Sequence, residues 1–267
     1  MPKTENIYSR NWSVDNPKAV ILLVHGLAEH TERYHAIGNY LTVNQYSVMA
    51  IDLPGHGRSG GVPGHIDQFS NYRTAIRQLH KTASQKYPNT PIFLLGHSMG
   101  GLISTQLLLD HQKLFQGALL SGAAIETPQE PPAWQTNIIK LISKIAPTLG
   151  LLKLDASGIS RDPNVVKAYM NDPLVYKGKL SARFLVEMSS AMDDCKVRAK
   201  KIKLPIIIMH GGNDLITKPE GSSYLYEHIS STDKTLKIYD GLYHEIFNEP
   251  EAQNIYADII SWLDSHT

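Results

Sequence analysis

Short apolar runs alternate along the chain with longer segments of helical period, and this rhythm restricts the fold more than any other feature of the sequence. The runs are Ala19 to Val24, Ser47 to Ile51, Pro91 to Leu95, Gln116 to Leu120, Leu204 to Met209 and Thr235 to Tyr239. Their β-branched and leucine content suits strands buried on both faces. Between them, Glu32 to Val43, Ile66 to Tyr87, Met99 to His111, Glu220 to Ile229 and Pro250 to Leu263 read as helices. In the last of these Pro250 suits a first turn, with Glu249 and Glu251 near the positive helix end. The pattern predicts the α/β class, a mostly parallel central sheet with helices on both faces. Asn6 to Ser13 is expected to add an antiparallel edge strand. At 267 residues and 42% hydrophobic content, one domain over 1–267 is expected rather than two.

The stretch from about Ile125 to Lys200 breaks the rhythm. It opens on the Pro-rich Thr127-Pro128-Gln129-Glu130-Pro131-Pro132, contains no convincing strand pattern, and reads as a helical cap inserted over the sheet at about 125–200. Within it Ile138, Ile139, Leu141, Ile142, Ile145, Leu149, Leu151, Leu152 and Leu154 form a surface apolar on most sides, interrupted by Lys140, Lys144 and Lys153. Two accounts stand side by side. The surface packs on the core, or it touches lipid or lines an acyl tunnel, with the lysines favouring an anionic surface.

Gly96-His97-Ser98-Met99-Gly100 follows the run ending at Leu95 and precedes a helix-like stretch, as a nucleophile elbow requires. The five letters alone recur by chance in roughly one chain in ten of this length, so the context must carry the assignment. A serine hydroxyl needs a base to take its proton, and the base needs an acid to fix its tautomer. On such a sheet the order is Ser, then Asp or Glu, then His, each on a loop after a strand. Asp214 ends the turn after Leu204 to Met209, and His244 follows the strand Thr235 to Tyr239. Asp52 precedes the serine and reads as a turn residue, while Asp193 and Asp194 fall in the insertion. His228 sits inside an expected helix and His266 at the tail, which leaves His244 as base. An oxyanion must be met by preorganised donors. The expected ones are the amide of Met99, after the nucleophile, and that of Leu27, in the loop His25-Gly26-Leu27. His25 and His97 are expected to orient these loops.

The chain resembles the serine hydrolases of the α/β-hydrolase fold, and specifically the monoacylglycerol lipase and lysophospholipase-like group. The resemblance rests on His25-Gly26-Leu27-Ala28-Glu29-His30 with Arg33-Tyr34, Asp52-Leu53-Pro54-Gly55-His56-Gly57-Arg58-Ser59, Gly96-His97-Ser98-Met99-Gly100-Gly101, Asn171-Asp172-Pro173-Leu174, and Lys234 to Tyr239 with Tyr243-His244. It implies hydrolysis of an ester in a lipid with one acyl chain, without a cofactor. It also implies that Glu29, Arg33 and the cap residue Tyr169 shape the polar end of the pocket. Read chemically, an acid, a base and a phenol can bond vicinal hydroxyls, and Glu29 and Arg33 can equally form a salt bridge that holds the oxyanion loop. Animal members of the group carry a histidine three residues past the catalytic one, where this chain has Phe247. The alternatives left open are a lysophospholipase or general carboxylesterase with the same triad, a non-catalytic acyl-ligand receptor, and acyl transfer to an acceptor other than water.

Composition narrows the partners. A net charge of +1, from 26 basic and 25 acidic residues, gives no electrostatic reason for nucleic acid. No run of His, Cys and carboxylates has metal-ligand spacing, and Gly55 to Gly61 does not open a helix as a phosphate cradle would. The single Cys195, without an apolar leader or an 18-residue apolar span, points to a reduced cytoplasm with at most peripheral membrane contact.

Overall fold

The computed structural model describes residues 6–128 and 132–267; residues 129–131 of the Pro-rich stretch lie outside the described residues. In chain order the elements begin with β1 (Ser9–Trp12), β2 (Ala19–Val24), α1 (His35–Val43), β3 (Tyr46–Ile51), α2 (Ser70–Lys86), β4 (Ile92–His97), α3 (Met99–His111) and β5 (Gly117–Ser121). They continue with α4 (Ala133–Ile145), β6 (Gly150–Lys153), α5 (Pro163–Asn171), β7 (Lys179–Ser181) and α6 (Ala182–Arg198). Last come β8 (Ile206–Gly211), α7 (Pro219–His228), β9 (Lys234–Tyr239) and α8 (Ala252–Asp264).

Seven strands form the main sheet in the order β1-β3-β2-β4-β5-β8-β9, parallel except for β1, which pairs antiparallel to β3 as an edge. Alternation along each strand divides its side chains between two cores. Val20, Leu22 and Val24 of β2 pack with Tyr72 and Ile76 of α2 and Leu102 of α3. Ile21 and Leu23 point to the other face, with Ile37 and Leu41 of α1 and Ile255 and Ile259 of α8. Each such fully buried side chain contributes about 1.5–3 kcal/mol over its exposed state. The expected α/β class, with helices on both faces of a mostly parallel sheet, is the architecture found.

The expectation that 125–200 holds no strand is corrected. β6 and β7 pair antiparallel as a separate two-stranded sheet. With only four and three residues they are too short for a period to register in the sequence. The expected helix Glu32 to Val43 also begins differently, as a 3-10 turn over Thr31–Tyr34 that passes into α1. The two ends of the insertion differ in their environment. α6 buries Phe184, Ala191 and Cys195 in the sheet core, whereas α4 exposes Trp134, Ile138, Leu141 and Ile145, spaced along one helical stripe.

Candidate active site

The sheet brings the four chemistry-bearing loops together at the carboxyl ends of its parallel strands. β2 lies beside β4 with Val24 opposite Gly96, so the loop from His25 and the elbow at Ser98 emerge side by side. β8 lies beside β9 with Gly211 opposite Tyr239, so the loops carrying Asp214 and His244 are also neighbours. β5 separates the two pairs. Gly122, just past β5 at φ +52°, lies beneath the His244 ring, where a Cβ would come within 3.3 Å of it. The imidazole therefore passes over the end of β5 to reach the elbow.

Ser98 has φ +55° and ψ −121°, a region that costs a non-glycine residue about 1–3 kcal/mol. The turn is held by Ser98 N donating to Ser121 O at 2.9 Å and by Leu102 N and Ala124 N, each donating to Ser98 O at 3.1 Å. Gly100 lets α3 start against the end of β2, because a Cβ there would lie 2.1 Å from Val24 O and 2.5 Å from His25 O.

Ser98 Oγ lies 2.8 Å from His244 Nε2, and His244 Nδ1 lies 2.6 Å from Asp214 Oδ2. With Nδ1–H donated to the carboxylate, Nε2 is left as acceptor for the serine hydroxyl. All three residues are buried. Burial by itself would push the Asp214 carboxyl up, but the facing His244 and hydrogen bonds from His210 and His244 hold it far below the usual carboxylate range. Burial likewise disfavours a charged His244, and Asp214 overrides it, so the imidazole is a stronger base than a free one.

The shell around Asp214 was not foreseen from the sequence. Thr217 Oγ1 donates to Asp214 Oδ2 at 2.8 Å, the amides of Ile216 and Thr217 donate to Oδ1 at 2.7 and 2.9 Å, and His210 Nε2 lies 3.0 Å from Oδ2. A turn threonine and a strand-end histidine carry no spacing signal; their one clue is that they bracket Asp214.

The loop carrying Leu27 and the helix start at Met99 both meet the elbow at Ser98. A Cβ on Gly26 would sit 3.1 Å from Ser98 Cβ, which places the Leu27 loop against the elbow, and Met99 opens α3, where the positive helix end favours a developing anion. His25 accepts Leu53 N–H at Nε2 (2.9 Å) and lies 2.8 Å from Gly26 O through Nδ1, so it ties this loop to the loop after β3. His97 contacts Ser121 Oγ at 3.1 Å and lies 4.8 Å from the His244 ring; burial, then the nearby His244, lower it to about 3.

Glu29, Arg33 and Tyr169 also come together. Arg33 Nε donates to Glu29 Oε2 at 3.0 Å, and its guanidinium lies 4.6 Å over the Tyr169 ring. The salt bridge foreseen as one reading of Glu29 and Arg33 is thus present, and Glu29 Oε1 reaches the loop expected to carry the oxyanion donor Leu27 by accepting Gly26 N–H at 2.6 Å. Arg33 also binds Glu245, a partner that sequence reasoning missed although it directly follows His244. Phe247 is buried against His97 and Tyr256. The inserted stretch is latched to the same loop, since His30 Nε2 lies 2.9 Å from Asp172 Oδ2 and Tyr176 N donates to Ala28 O at 2.8 Å.

The sequence profile of the Hydrolase_4 family, described as serine aminopeptidase S33, matches residues 15–251. The chain is 37% identical to the monoacylglycerol lipase of Mycolicibacterium smegmatis, over 96% of this chain and 91% of the relative. Among solved structures, the monoacylglycerol lipase of Paleococcus ferrophilus is similar at TM-score 0.89 and 32% identity, over 98% of this chain and 100% of that one. The monoglyceride lipase of Saccharomyces cerevisiae, in a soluble variant bound to a substrate analogue, is similar at TM-score 0.88 and 26% identity, over 99% and 93%. The matches span nearly the whole chain, and they make it a carboxylic ester hydrolase of the α/β-hydrolase family to which the monoacylglycerol lipases belong.

Proposed function

We propose that the protein hydrolyses the ester bond of monoacylglycerols to fatty acid and glycerol, with Ser98 as nucleophile, His244 as general base and Asp214 as its orienting acid. The observation that carries this is the unbroken relay from Asp214 through His244 to Ser98, at 2.6 and 2.8 Å. Ser98 Oγ attacks the carbonyl carbon as His244 Nε2 takes its proton, and the two amides hold the oxyanion. The carbonyl re-forms, the glycerol oxygen leaves with the proton from His244, and water repeats the sequence on the acyl-enzyme. Asp214 stays ionised throughout and stabilises the imidazolium.

The substrate class follows from the relatives, whose names place their action on monoacylglycerols, and from the polar groups beside the elbow. Arg33 and Tyr169 form the polar end of the site, with Glu29 acting through Arg33 because both its oxygens have partners already. In this reading 1–267 is one domain and about 125–200 is its cap. A panel of monoacylglycerols of graded chain length beside lysophosphatidylcholine and a simple p-nitrophenyl ester tests it. Monoacylglycerols are expected to give the highest kcat/KM; a preference for lysophosphatidylcholine would make the protein a lysophospholipase, and no turnover of any ester would make it a binder.

The cap is further proposed to rest on lipid surfaces. Trp134, Ile138, Leu141 and Ile145 expose 63, 48, 59 and 75% of their surface beside exposed Lys140 and Lys144, the composition of an interfacial helix. No helix among the described residues is long and apolar enough to cross a membrane, so the contact is peripheral. The lone buried Cys195 favours a reducing compartment. Co-sedimentation with vesicles is expected to be stronger for anionic than for zwitterionic lipid and weaker in Trp134→Ala; absence of binding to either vesicle would refute the contact.

A further inference from the structure

Between the loop that follows β2 and the loop that follows β9, two buried carboxylates share one buried guanidinium, and the proton relay uses none of the three. Arg33 Nη2 donates to Glu245 at 2.7 Å (Oε1) and 2.5 Å (Oε2), and Nε donates to Glu29 Oε2 at 3.0 Å. Glu29 Oε1 accepts Gly26 N–H and the Tyr34 hydroxyl, both at 2.6 Å. Gly26 is the peptide neighbour of Leu27, and Glu245 is the peptide neighbour of His244. A continuous line of short bonds therefore joins the oxyanion donor to the base, through side chains no more than 9% exposed.

We propose, on the assignment of Ser98, His244 and Leu27 made above, that Glu29, Arg33 and Glu245 are positioning residues, a clamp that sets the oxyanion donor against the general base. Three considerations support it. A buried ion triad is commonly matched or exceeded in stability by apolar residues of similar volume, so stability alone does not account for three charges here. Ala28, between Leu27 and Glu29, holds φ +66°, and a strained residue of that kind persists only where its neighbours over-determine it. Two carboxylates against one guanidinium also leave net negative charge behind the imidazole, which favours the imidazolium formed as Ser98 gives up its proton. The groups facing His244 are Asp214, Ser98 and His97, with Glu245 and Glu29 behind them, and His97 is held neutral. Burial and Glu29 push the Glu245 carboxyl up while the Arg33 fork opposes them, and burial pushes Glu29 up while Arg33 holds it at about 2.

The test is Glu245→Gln assayed on p-nitrophenyl butyrate, an ester with no glycerol head. At pH 8 kcat is expected to fall roughly 10-fold or more, with KM within about 3-fold of wild type, since small misplacements of catalytic groups act on turnover. The acid limb of kcat/KM is expected to move to lower pH because a negative charge behind His244 is gone. Glu245→Asp, which keeps that charge at a shorter reach, is expected to return the limb to its wild-type position. Tyr34→Phe removes one bond to Glu29 without a change of shape and is expected to lower kcat about 3-fold, so the proposal stays testable if Glu245→Gln fails to fold. Wild-type kcat with an unmoved limb in Glu245→Gln, or wild-type kcat in Tyr34→Phe, would overturn the clamp. Failure of the underlying reading is separate: it would show as turnover retained by Ser98→Ala, whereas an inactive Ser98→Ala beside a fully active Glu245→Gln refutes the clamp alone.

Discussion

Replacing Ser98 with alanine lowers kcat on a monoacylglycerol by roughly 10⁵-fold or more, the scale seen when the nucleophile of a serine hydrolase relay is removed. The hydroxyl 2.8 Å from His244 Nε2 is the atom that would form the acyl-enzyme, so no step of the two-stage reaction survives its loss. What activity remains comes from an oxyanion site and a binding pocket that still act on attacking water. Stability should change little. The alanine keeps a Cβ at φ +55°, so the strain of the elbow is retained and only one hydrogen bond to the imidazole is lost. The measurements are kcat by fatty acid release and stoichiometric labelling by a fluorophosphonate. The wild-type protein is expected to label at Ser98 and the variant to resist; a variant that retained even a tenth of wild-type turnover would remove Ser98 from the mechanism.

Asp214→Asn has the second largest expected effect, a fall in kcat of about 10⁴-fold with the backbone unmoved. The asparagine can still accept the amides of Ile216 and Thr217, which now meet Oδ1 at 2.7 and 2.9 Å. It cannot offer an anion to His244 Nδ1–H at 2.6 Å. Its amide group can instead donate to Nδ1, which favours the tautomer with the proton on Nε2, where it blocks acceptance from Ser98. The pH profile carries an independent sign. Burial disfavours the charged imidazole, but Asp214 raises His244 above its ordinary value of 6.5, so in the wild type activity falls as pH drops through that raised value. Without the carboxylate charge the raising influence is gone, and the acid limb should move to lower pH. An acid limb that stayed in place, or a kcat within about 10-fold of wild type, would refute the role given to Asp214.

Ser98, Asp214 and His244 were legible in the chain because each stands on a turn directly after an apolar run, and runs of that kind become neighbouring parallel strands. β6 and β7 were not legible: at four and three residues they cannot show a period of two. Glu29 and Arg33 were reached through the resemblance to the lipase group, with a salt bridge between them as one chemical reading of the pair. Glu245 was hidden as their third member, because it lies 212 positions from Arg33. Thr217 and His210 escaped for a related reason, since a hydroxyl and an imidazole at a strand end are common and only their distance to the carboxylate marks them.

The sequence by itself determined the class of fold, the order of the relay along the chain and the elbow, because these follow from local periodicity and from a turn of a few residues. The tertiary structure alone decided that His244 passes over the end of β5 to reach Ser98, that the inserted stretch is latched to the loop after β2 through His30 and Asp172, and that Arg33 of that loop reaches Glu245 beside His244. Such contacts depend on the register of neighbouring strands and on which side chains are buried together. Residues far apart in the chain carry no local trace of that arrangement until folding brings them within hydrogen-bonding distance.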